Sequence, residues 1–351
     1  METTPNDSVN WPTFLGDNAR RGGSPGEPAG PPSTPAWKRE LPGMALSSPV
    51  LKGELLYLAF MDGSLYALDS QNGQTRWSFA AAAPIHSTPA LADHLVLFCD
   101  ESGNLYAVEN TTGTLVWRAQ AGGPAWSSPS IFQGTVYQGT TGARLRSFDL
   151  RTGRRDWDIE LTGGSCSTAH VTGDRIYIGT GDGRVIALER GSGRTSWEMR
   201  TGGPVLSSPA FAEDLVLVGS EDEFFYALDG RNGAIRWRYR GTQGFVAPPA
   251  CGEGLVYAGC KDGYVYALSV GNGELQWKAR VPEIICGAPT VTSTLICVQP
   301  YGGPLLALER RSGKQAWKVS LGAALQSTPA LTSDRLFLVN YRGVVHALQC
   351  R

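Results

Sequence analysis

Short apolar segments recur along this chain at a fixed interval of 40 residues. Each repeat holds a strand-like run such as LYALD at residues 65–69, and in most repeats a glycine follows, then a tryptophan four residues later. The repeating tryptophans are Trp37, Trp77, Trp117, Trp157, Trp197, Trp237, Trp277 and Trp317. Because the interval never changes, the pattern predicts structural units of one size, stacked without insertions.

Each unit divides into four apolar segments separated by turn residues. In residues 206–240 these are LSSPAF, LVLVGS, FFYALD and AIRWRY, with RNG turning the chain before the last segment. Aromatic and β-branched residues favour strands, and Gly, Asn and Asp favour turns. Proline recurs in the first segment, and within sheets proline is confined mainly to edges. The pattern predicts an all-β fold, an eight-bladed β-propeller of four-stranded antiparallel blades whose first strand faces the central channel.

The two chain ends predict how the ring closes. The last repeat stops after its third strand, VVHALQ, and the segment that matches a fourth strand is Ala36–Glu40 near the N-terminus. This segment is expected to complete the eighth blade, so that one sheet holds both ends of the propeller. We therefore expect an extended N-terminal arm over residues 1–34 and a propeller over residues 35–351, with about 40 residues in each blade.

Charge, hydrophobicity and cysteine spacing each argue against a class of partner or site. The net charge of −1 argues against nucleic acid or an anionic membrane as the main partner. No apolar run is long enough for a membrane span, and the first residues lack the features of a signal peptide, so a cytoplasmic location is expected. The seven cysteines show no CxxC spacing, which favours free thiols over a disulfide framework or a metal site.

The repeat A-L-D-x-x-x-G-x-x-x-W resembles the tryptophan-docking repeat of the quinoprotein propellers, those of dehydrogenases that use pyrroloquinoline quinone. The resemblance covers residues 35–350, and Trp11-Pro12-Thr13-Phe14 looks like the segment that leads into those propellers. It implies the eight-bladed fold and two kinds of function. Some members bind the quinone and oxidise alcohols; others, such as an outer-membrane barrel-assembly lipoprotein, carry the repeats without cofactor as binding platforms.

This chain departs from the enzyme pattern of that family. It has no adjacent cysteine pair, every blade keeps the 40-residue length, and no Glu, Asn or Asp matches the calcium-binding and catalytic positions. The resemblance therefore implies a cofactor-free member, and no cofactor is expected.

Positions that differ between repeats are the candidates for a site, because positions that agree serve the scaffold. The residue before the S-S-P motif and the loop between the second and third strands should open on one face and form a funnel at the channel mouth. The candidate ligand-binding residues are His86, Trp126, Cys166, Cys286 and Gln326 from the first position, and Glu221, Lys261, Tyr301 and Tyr341 from the loop. His86 and Cys166 are the candidates for catalysis.

Each candidate has a structural alternative. His86 can be a hydrogen-bonded structural histidine, and Trp126 can stack on a ligand or plug the channel. Cys166 and His170 stand four residues apart, which on a strand is roughly 13 Å, too far for a direct nucleophile–base pair. The Glu221-Asp222-Glu223 run can bind a cation or a basic partner, or lie in water, and Lys261 should neutralise part of its charge.

Two functions of different classes remain. The favoured one is a non-catalytic platform that binds a protein or peptide on the propeller face and channel mouth. The alternative is an enzyme or sensor acting on a small molecule at the same mouth, with a quinone-dependent dehydrogenase the least favoured form.

Overall fold

The computed structural model describes residues 10–11, 30–321 and 327–350. Eight antiparallel sheets, one for each repeat, form an eight-bladed propeller, and the predicted fold is confirmed. We number the blades from the first repeat, so that blade 1 begins with Val50–Lys52 and blade 8 with Ala330–Leu331. In each blade the inner, second, third and outer strands pair in that order.

The strand bounds follow the 40-residue period closely. From blade 1 to blade 8 the inner strands are Val50–Lys52, Ala90–Ala92, Ser130–Phe132, His170–Val171, Ala210–Ala212, Ala250–Gly252, Thr290–Val291 and Ala330–Leu331. The second strands are Leu55–Ala59, Leu95–Cys99, Thr135–Gly139, Arg175–Gly179, Leu215–Gly219, Leu255–Gly259, Leu295–Val298 and Arg335–Val339. The third strands are Ser64–Asp69, Asn104–Glu109, Arg144–Asp149, Arg184–Glu189, Phe224–Asp229, Tyr264–Ser269, Leu305–Glu309 and Val344–Cys350. The outer strands are Thr75–Ala80, Leu115–Gln120, Arg155–Glu160, Thr195–Arg200, Ile235–Arg240, Leu275–Arg280, Gln315–Val319 and, for blade 8, Pro32–Glu40.

Both chain ends meet in blade 8. Pro32–Glu40 pairs antiparallel with Val344–Cys350, with Trp37 opposite Ala347, so closure by the N-terminal strand is confirmed. The strand begins at Pro32, earlier than the Ala36 expected from the sequence, because its pairing runs through two register shifts as far as Cys350.

A short N-terminal strand adds to blade 1. Asn10–Trp11 pairs antiparallel with the inner strand of that blade, with Trp11 opposite Leu51. The sequence did not predict this fifth strand. The rest of the expected arm before residue 30 lies outside the described residues, and its extended form stays a prediction.

The repeated tryptophans lock neighbouring blades together. Trp117 is buried, and its indole Nε1 donates to the carbonyl oxygen of Leu150 in the next blade at 2.9 Å. Its ring packs on Gly153, where a Cβ would lie 2.5 Å from the ring. Gly153 also has a φ of +68°, so both the turn and the tryptophan require glycine here. This explains the spacing between the repeated glycines and tryptophans.

A second joint between blades lies near the channel, in the S-S-P motif. The backbone N–H of Thr88 donates to the hydroxyl of Ser128 in the next blade at 3.0 Å, and Ser128 donates to Thr168 in the same way. The same bond joins blade 8 to blade 1, through Thr328 and Ser48. We call this chain of bonds, from Thr328 through blades 1 to 4 to Ser208, the hydroxyl belt. Pro248 and Ala288 hold the same positions in blades 6 and 7 and supply no hydroxyl.

Two sets of loops share one face of the ring. In blade 2 the N–H of Glu101, between the second and third strands, donates to the carbonyl of Pro84, in the loop that enters the blade. Equivalent bonds recur in blades 1 to 7, for example from Tyr301 to Ile284. We call this side the mouth face. Strand direction places the hairpins after the inner strands and the turns before the outer strands on the opposite face. Within the described residues there is no helix long and apolar enough to cross a membrane.

Candidate functional site

Exposed apolar side chains concentrate on the mouth face. Ten large hydrophobic residues in the described part of the chain are exposed, and six of them lie in mouth-face loops: Met44, Trp126, Leu206, Ile284, Tyr301 and Tyr341. The other four, Leu115, Val116, Ile235 and Leu275, lie at the start of outer strands. Scattered exposed apolar residues are normal, and their concentration on one face makes that face the candidate site.

His86 and Trp126 form an aromatic shelf on this face. Their rings stack with centroids 5.2 Å apart and planes 24° from parallel. Trp126 is 51% exposed, whereas His86 is more deeply seated beneath it. The His86 Nε2 atom is 3.8 Å from the Glu101 carboxylate and has no hydrogen-bond partner in the described part of the chain. The shelf therefore presents a half-exposed indole beside a carboxylate, with the unpaired His86 nitrogen buried beneath it.

Gln138 fixes the backbone next to the shelf, because it bonds to Ser127, the residue that follows Trp126. This side chain is fully buried, and its Nε2 donates to the carbonyl and the hydroxyl oxygen of Ser127, both at 3.0 Å. It also donates to the carbonyl of Gly139 at 2.8 Å. Gln138 thus ties the residue after Trp126 to the second strand of blade 3. The sequence analysis missed this role, although a polar residue where other blades have Leu58 or Phe98 was a visible signal.

Glu221 and Lys261 form an ion pair across blades 5 and 6. The Lys261 Nζ lies 2.6 Å and 2.8 Å from the two Glu221 carboxylate oxygens, so the expected neutralisation takes place. The other acidic residues of this loop are also engaged. Asp222 accepts from the Tyr226 hydroxyl at 2.7 Å, and Glu223 pairs with Arg240 at 2.9 Å.

Cys286 lies close enough to the Glu221–Lys261 ion pair for both charges to affect the pKa of its thiol. Burial, the largest effect, raises the pKa of its thiol, Lys261 opposes that rise, and Glu221 adds to it. A raised pKa keeps the thiol protonated near neutrality, which disfavours nucleophilic chemistry.

Cys166 and His170 occupy different environments. Cys166 is exposed at the mouth, and partial burial of the thiol raises its pKa. His170 is buried in the inner strand of blade 4, where its ring stacks on Phe211 with centroids 6.0 Å apart. The local-packing interpretation of His170 therefore fits better than a nucleophile–base pair.

The remaining candidates complete the ring around the mouth. Tyr301 and Tyr341 are exposed in blades 7 and 8, on the side across from the shelf. Gln326 lies outside the described residues. Met44 and Ile284 were missed by the sequence analysis, although apolar residues where other blades have Pro84 or Pro124 were a usable signal.

The mouth offers little for a metal ion or a quinone. No group of three or more His, Cys, Asp and Glu side chains in the described residues could hold a metal. A planar, polyanionic quinone needs a flat wall and cations. The shelf supplies a wall, but its nearest charge is the Glu101 carboxylate, and Lys261 is already paired with Glu221. These residues do not fit the quinone.

Fold and repeat together define the class: an eight-bladed propeller of the quinoprotein-like repeat, with inter-blade tryptophans and no insertions. A family model described as outer membrane protein assembly factor BamB matches residues 34–171, 161–284 and 240–351. The chain therefore belongs to the BamB-like family of these propellers.

Solved structures agree on the fold. BamB from Moraxella catarrhalis is 18% identical, with a TM-score of 0.78 over 90% of this chain and 99% of that one. A computationally designed propeller, Ika8, is 14% identical, with a TM-score of 0.79 over 88% and 98% of the two chains. The quinohemoprotein alcohol dehydrogenase from Comamonas testosteroni is 14% identical, with a TM-score of 0.82 over 97% and 80%. No curated protein matches the chain. At these identities the neighbours show the fold alone.

Proposed function

We propose that this protein is a non-catalytic platform that binds a protein or peptide on the mouth face. One observation carries the proposal: six of the ten exposed large hydrophobic residues in the described part of the chain lie in the loops of that face. Aromatic and apolar anchors with a polar surround are the usual composition of a protein-binding surface. The family name, outer membrane protein assembly factor, describes relatives that act in assembly, which agrees with a platform.

The geometry suits recognition of an extended apolar segment. Trp126 and Tyr301 stand on different sides of the ring, each 51% exposed, and Leu206 lies in blade 5. A segment crossing the mouth would bury these side chains, at roughly 25 cal/mol for each Å² of apolar surface removed from water. These side chains stand on short loops anchored between the strands of the closed ring, which limits the conformational entropy lost when the partner binds.

The proposal is tested by selecting peptides from a random display library on the purified chain. We expect selected peptides to bind at least tenfold more weakly to a Trp126→Ala/Tyr301→Ala variant. A Leu115→Ala/Val116→Ala variant, which removes similarly exposed apolar residues elsewhere, should bind them within twofold of the unmodified chain. The platform would be contradicted if no peptide is selected, or if the selected peptides bind the Trp126→Ala/Tyr301→Ala variant as tightly as the unmodified chain.

A second candidate function is sensing or conversion of a small molecule at the shelf. The observation that favours it is the unpartnered His86 Nε2 beside a half-exposed stacked ring. A planar ligand would stack on the exposed indole of Trp126, and a rotation of that ring would open the buried His86 Nε2 to a hydrogen bond. A thermal-shift screen with planar heterocycles tests this: a hit should be lost in both His86→Gln and Trp126→Ala. A hit that survives both changes places the ligand elsewhere.

A further inference from the structure

The outer strands of blades 5 and 6 form a band of positive charge. Ile235–Arg240 carries Arg238 and Arg240 toward its mouth-face end, and Leu275–Arg280 carries Lys278 and Arg280 at the equivalent positions. All four side chains are exposed. Residues two apart on a strand share a face, so each strand presents its two cations side by side. We call these four residues the cationic band.

Aromatic rings hold the cations of the band in place. The Arg238 guanidinium lies 4.6 Å from the centroid of the Phe224 ring, and that of Arg240 lies 5.9 Å from it. In the next blade the Lys278 Nζ lies 5.0 Å from the centroid of Tyr264. The rings come from the third strand, where Phe224 pairs directly with Arg240. Such contacts fix long side chains that would otherwise lose conformational entropy on binding a partner.

Most of this charge has no counter-ion. Arg240 pairs with Glu223 at 2.9 Å, but Arg238, Lys278 and Arg280 make no ion pair with any described residue. The equivalent strand of blade 3, Arg155–Glu160, reads RDWDIE, and there Asp158 is neutralised by Arg146 at 2.8 Å. The positive charge is confined to these two outer strands, since blades 5 and 6 as a whole hold more acidic than basic residues.

The band also lies along open sheet edges. Each of these outer strands is the last strand of its sheet and pairs only with the third strand of its own blade. An edge strand presents backbone N–H and C=O groups that another extended chain can use. Exposed Ile235 and Leu275 stand at the opposite end of the two strands, so each edge runs from an apolar residue to a pair of cations.

We propose that the outer edges of blades 5 and 6 dock an acidic polypeptide segment in extended conformation. A segment that adds a strand to one of these edges places carboxylates against Arg238 with an apolar residue against Ile235 on blade 5, or against Lys278 and Arg280 with an apolar residue against Leu275 on blade 6. This mode combines main-chain hydrogen bonds for affinity with side-chain contacts for specificity. The site is separate from the mouth face, because it uses outer strands and none of the residues of the shelf.

A polypeptide fits these edges better than a phosphate polymer or an anionic membrane. The Glu223 carboxylate stands within the band, and Glu198 is exposed on the outer strand of blade 4. Closely spaced phosphates would meet these carboxylates, whereas a peptide can space its own charges to avoid them. A strand edge also offers backbone pairing that neither nucleic acid nor lipid can use.

The test uses a fluorescein-labelled ten-residue peptide of alternating Glu and Val, measured by anisotropy with the full chain. We expect binding that weakens with salt, and at least tenfold weaker binding to Arg238→Glu/Lys278→Glu/Arg280→Glu. A control variant with the same charge change, Arg151→Glu/Arg231→Glu/Arg311→Glu, alters exposed arginines in the turns of the opposite face and should stay within twofold. The milder Arg238→Gln/Lys278→Gln/Arg280→Gln variant, with its thermal unfolding checked, covers the case in which charge reversal prevents folding.

Three further arms separate the possible binding modes. A peptide of the same charge with two central residues replaced by proline should bind at least fivefold more weakly, since proline cannot pair with the edge. Single-stranded RNA and phosphatidylglycerol vesicles should bind more weakly than the peptide. The proposal is overturned if the unmodified chain does not bind the peptide, or if the charge-reversal variant and the control variant weaken binding equally. It is also overturned if the proline substitutions have no effect, or if RNA or vesicles bind as tightly through the same residues.

Discussion

Two tryptophans of neighbouring sequence, Trp117 and Trp126, belong to different regions of the molecule. Trp117 is 8% exposed, donates its indole N–H to Leu150 of the next blade, and packs on Gly153. Trp126 is 51% exposed and stacks on His86. The first belongs to the joint between blades and the second to the mouth face.

The tryptophans at the joints between blades recur in every repeat, whereas residues at the mouth face differ from one repeat to the next. Trp117 has a counterpart in every repeat, because every blade must dock on its neighbour in a closed ring. At the position of Trp126 the other blades carry residues as different as Leu46, His86 and Cys166, since the ring does not constrain a loop exposed to solvent. Stability should therefore follow the repeated positions, and binding should follow the others.

The largest effect should come from opening the ring in blade 8, where the two ends of the chain pair without a covalent link. A chain that begins at residue 42 lacks the whole Pro32–Glu40 strand, and with it the pairing to Val344–Cys350 and the docking of Trp37 on Ser70. We expect this chain to lose the single cooperative unfolding transition, measured by calorimetry, because blade 8 has no outer strand and blade 1 loses its neighbour.

A chain that begins at residue 30 is the matched control, since it keeps the closure strand and should unfold cooperatively. Adding a synthetic peptide of residues 30–41 to the truncated chain should restore the transition. An unchanged transition in the truncated chain would show that closure contributes nothing to cooperativity.

The next effect separates the two tryptophans directly. Trp117→Ala removes a buried ring and its hydrogen bond, and should lower the free energy of unfolding by about 3–5 kcal/mol. Trp126→Ala removes an exposed ring and should change it by no more than about 0.5 kcal/mol. Urea unfolding of both variants measures this, and peptide binding should show the reverse order. Equal losses of stability would mean that the shelf is part of the scaffold.

Much of the fold was predictable because closure makes every blade obey one spacing. The period located the strands, the glycine turns and the closure strand at Ala36–Glu40. The hydroxyl belt was not foreseen, because a Ser-Ser-Pro motif does not say which neighbour its hydroxyls face. The Asn10–Trp11 strand was not foreseen either, since two residues carry no periodic pattern.

The site was predictable only as a set of positions. Aligning the repeats brought His86, Trp126, Glu221 and Lys261 into one frame, but their pairing depends on side-chain direction and on the distance between blades. The cationic band was missed because its cations sit at positions where charged residues are ordinary. The missing counter-ions become visible only when neighbouring strands are seen together.

The smallest effect tests whether the hydroxyl belt belongs with the tryptophan joints. Thr88→Val keeps the volume of the side chain but removes the hydroxyl that accepts the Ser48 N–H at 3.0 Å. The donor then stays buried without a partner, which should lower the free energy of unfolding by about 1–3 kcal/mol. Thr112→Val is the matched control, since Thr112 is exposed in a turn and its hydroxyl bonds only to Thr114 nearby; it should cost less than about 0.5 kcal/mol. If urea unfolding gives the two variants the same stability, the belt does not strengthen the ring, and the joints between blades rest on the tryptophans and the packed sheets.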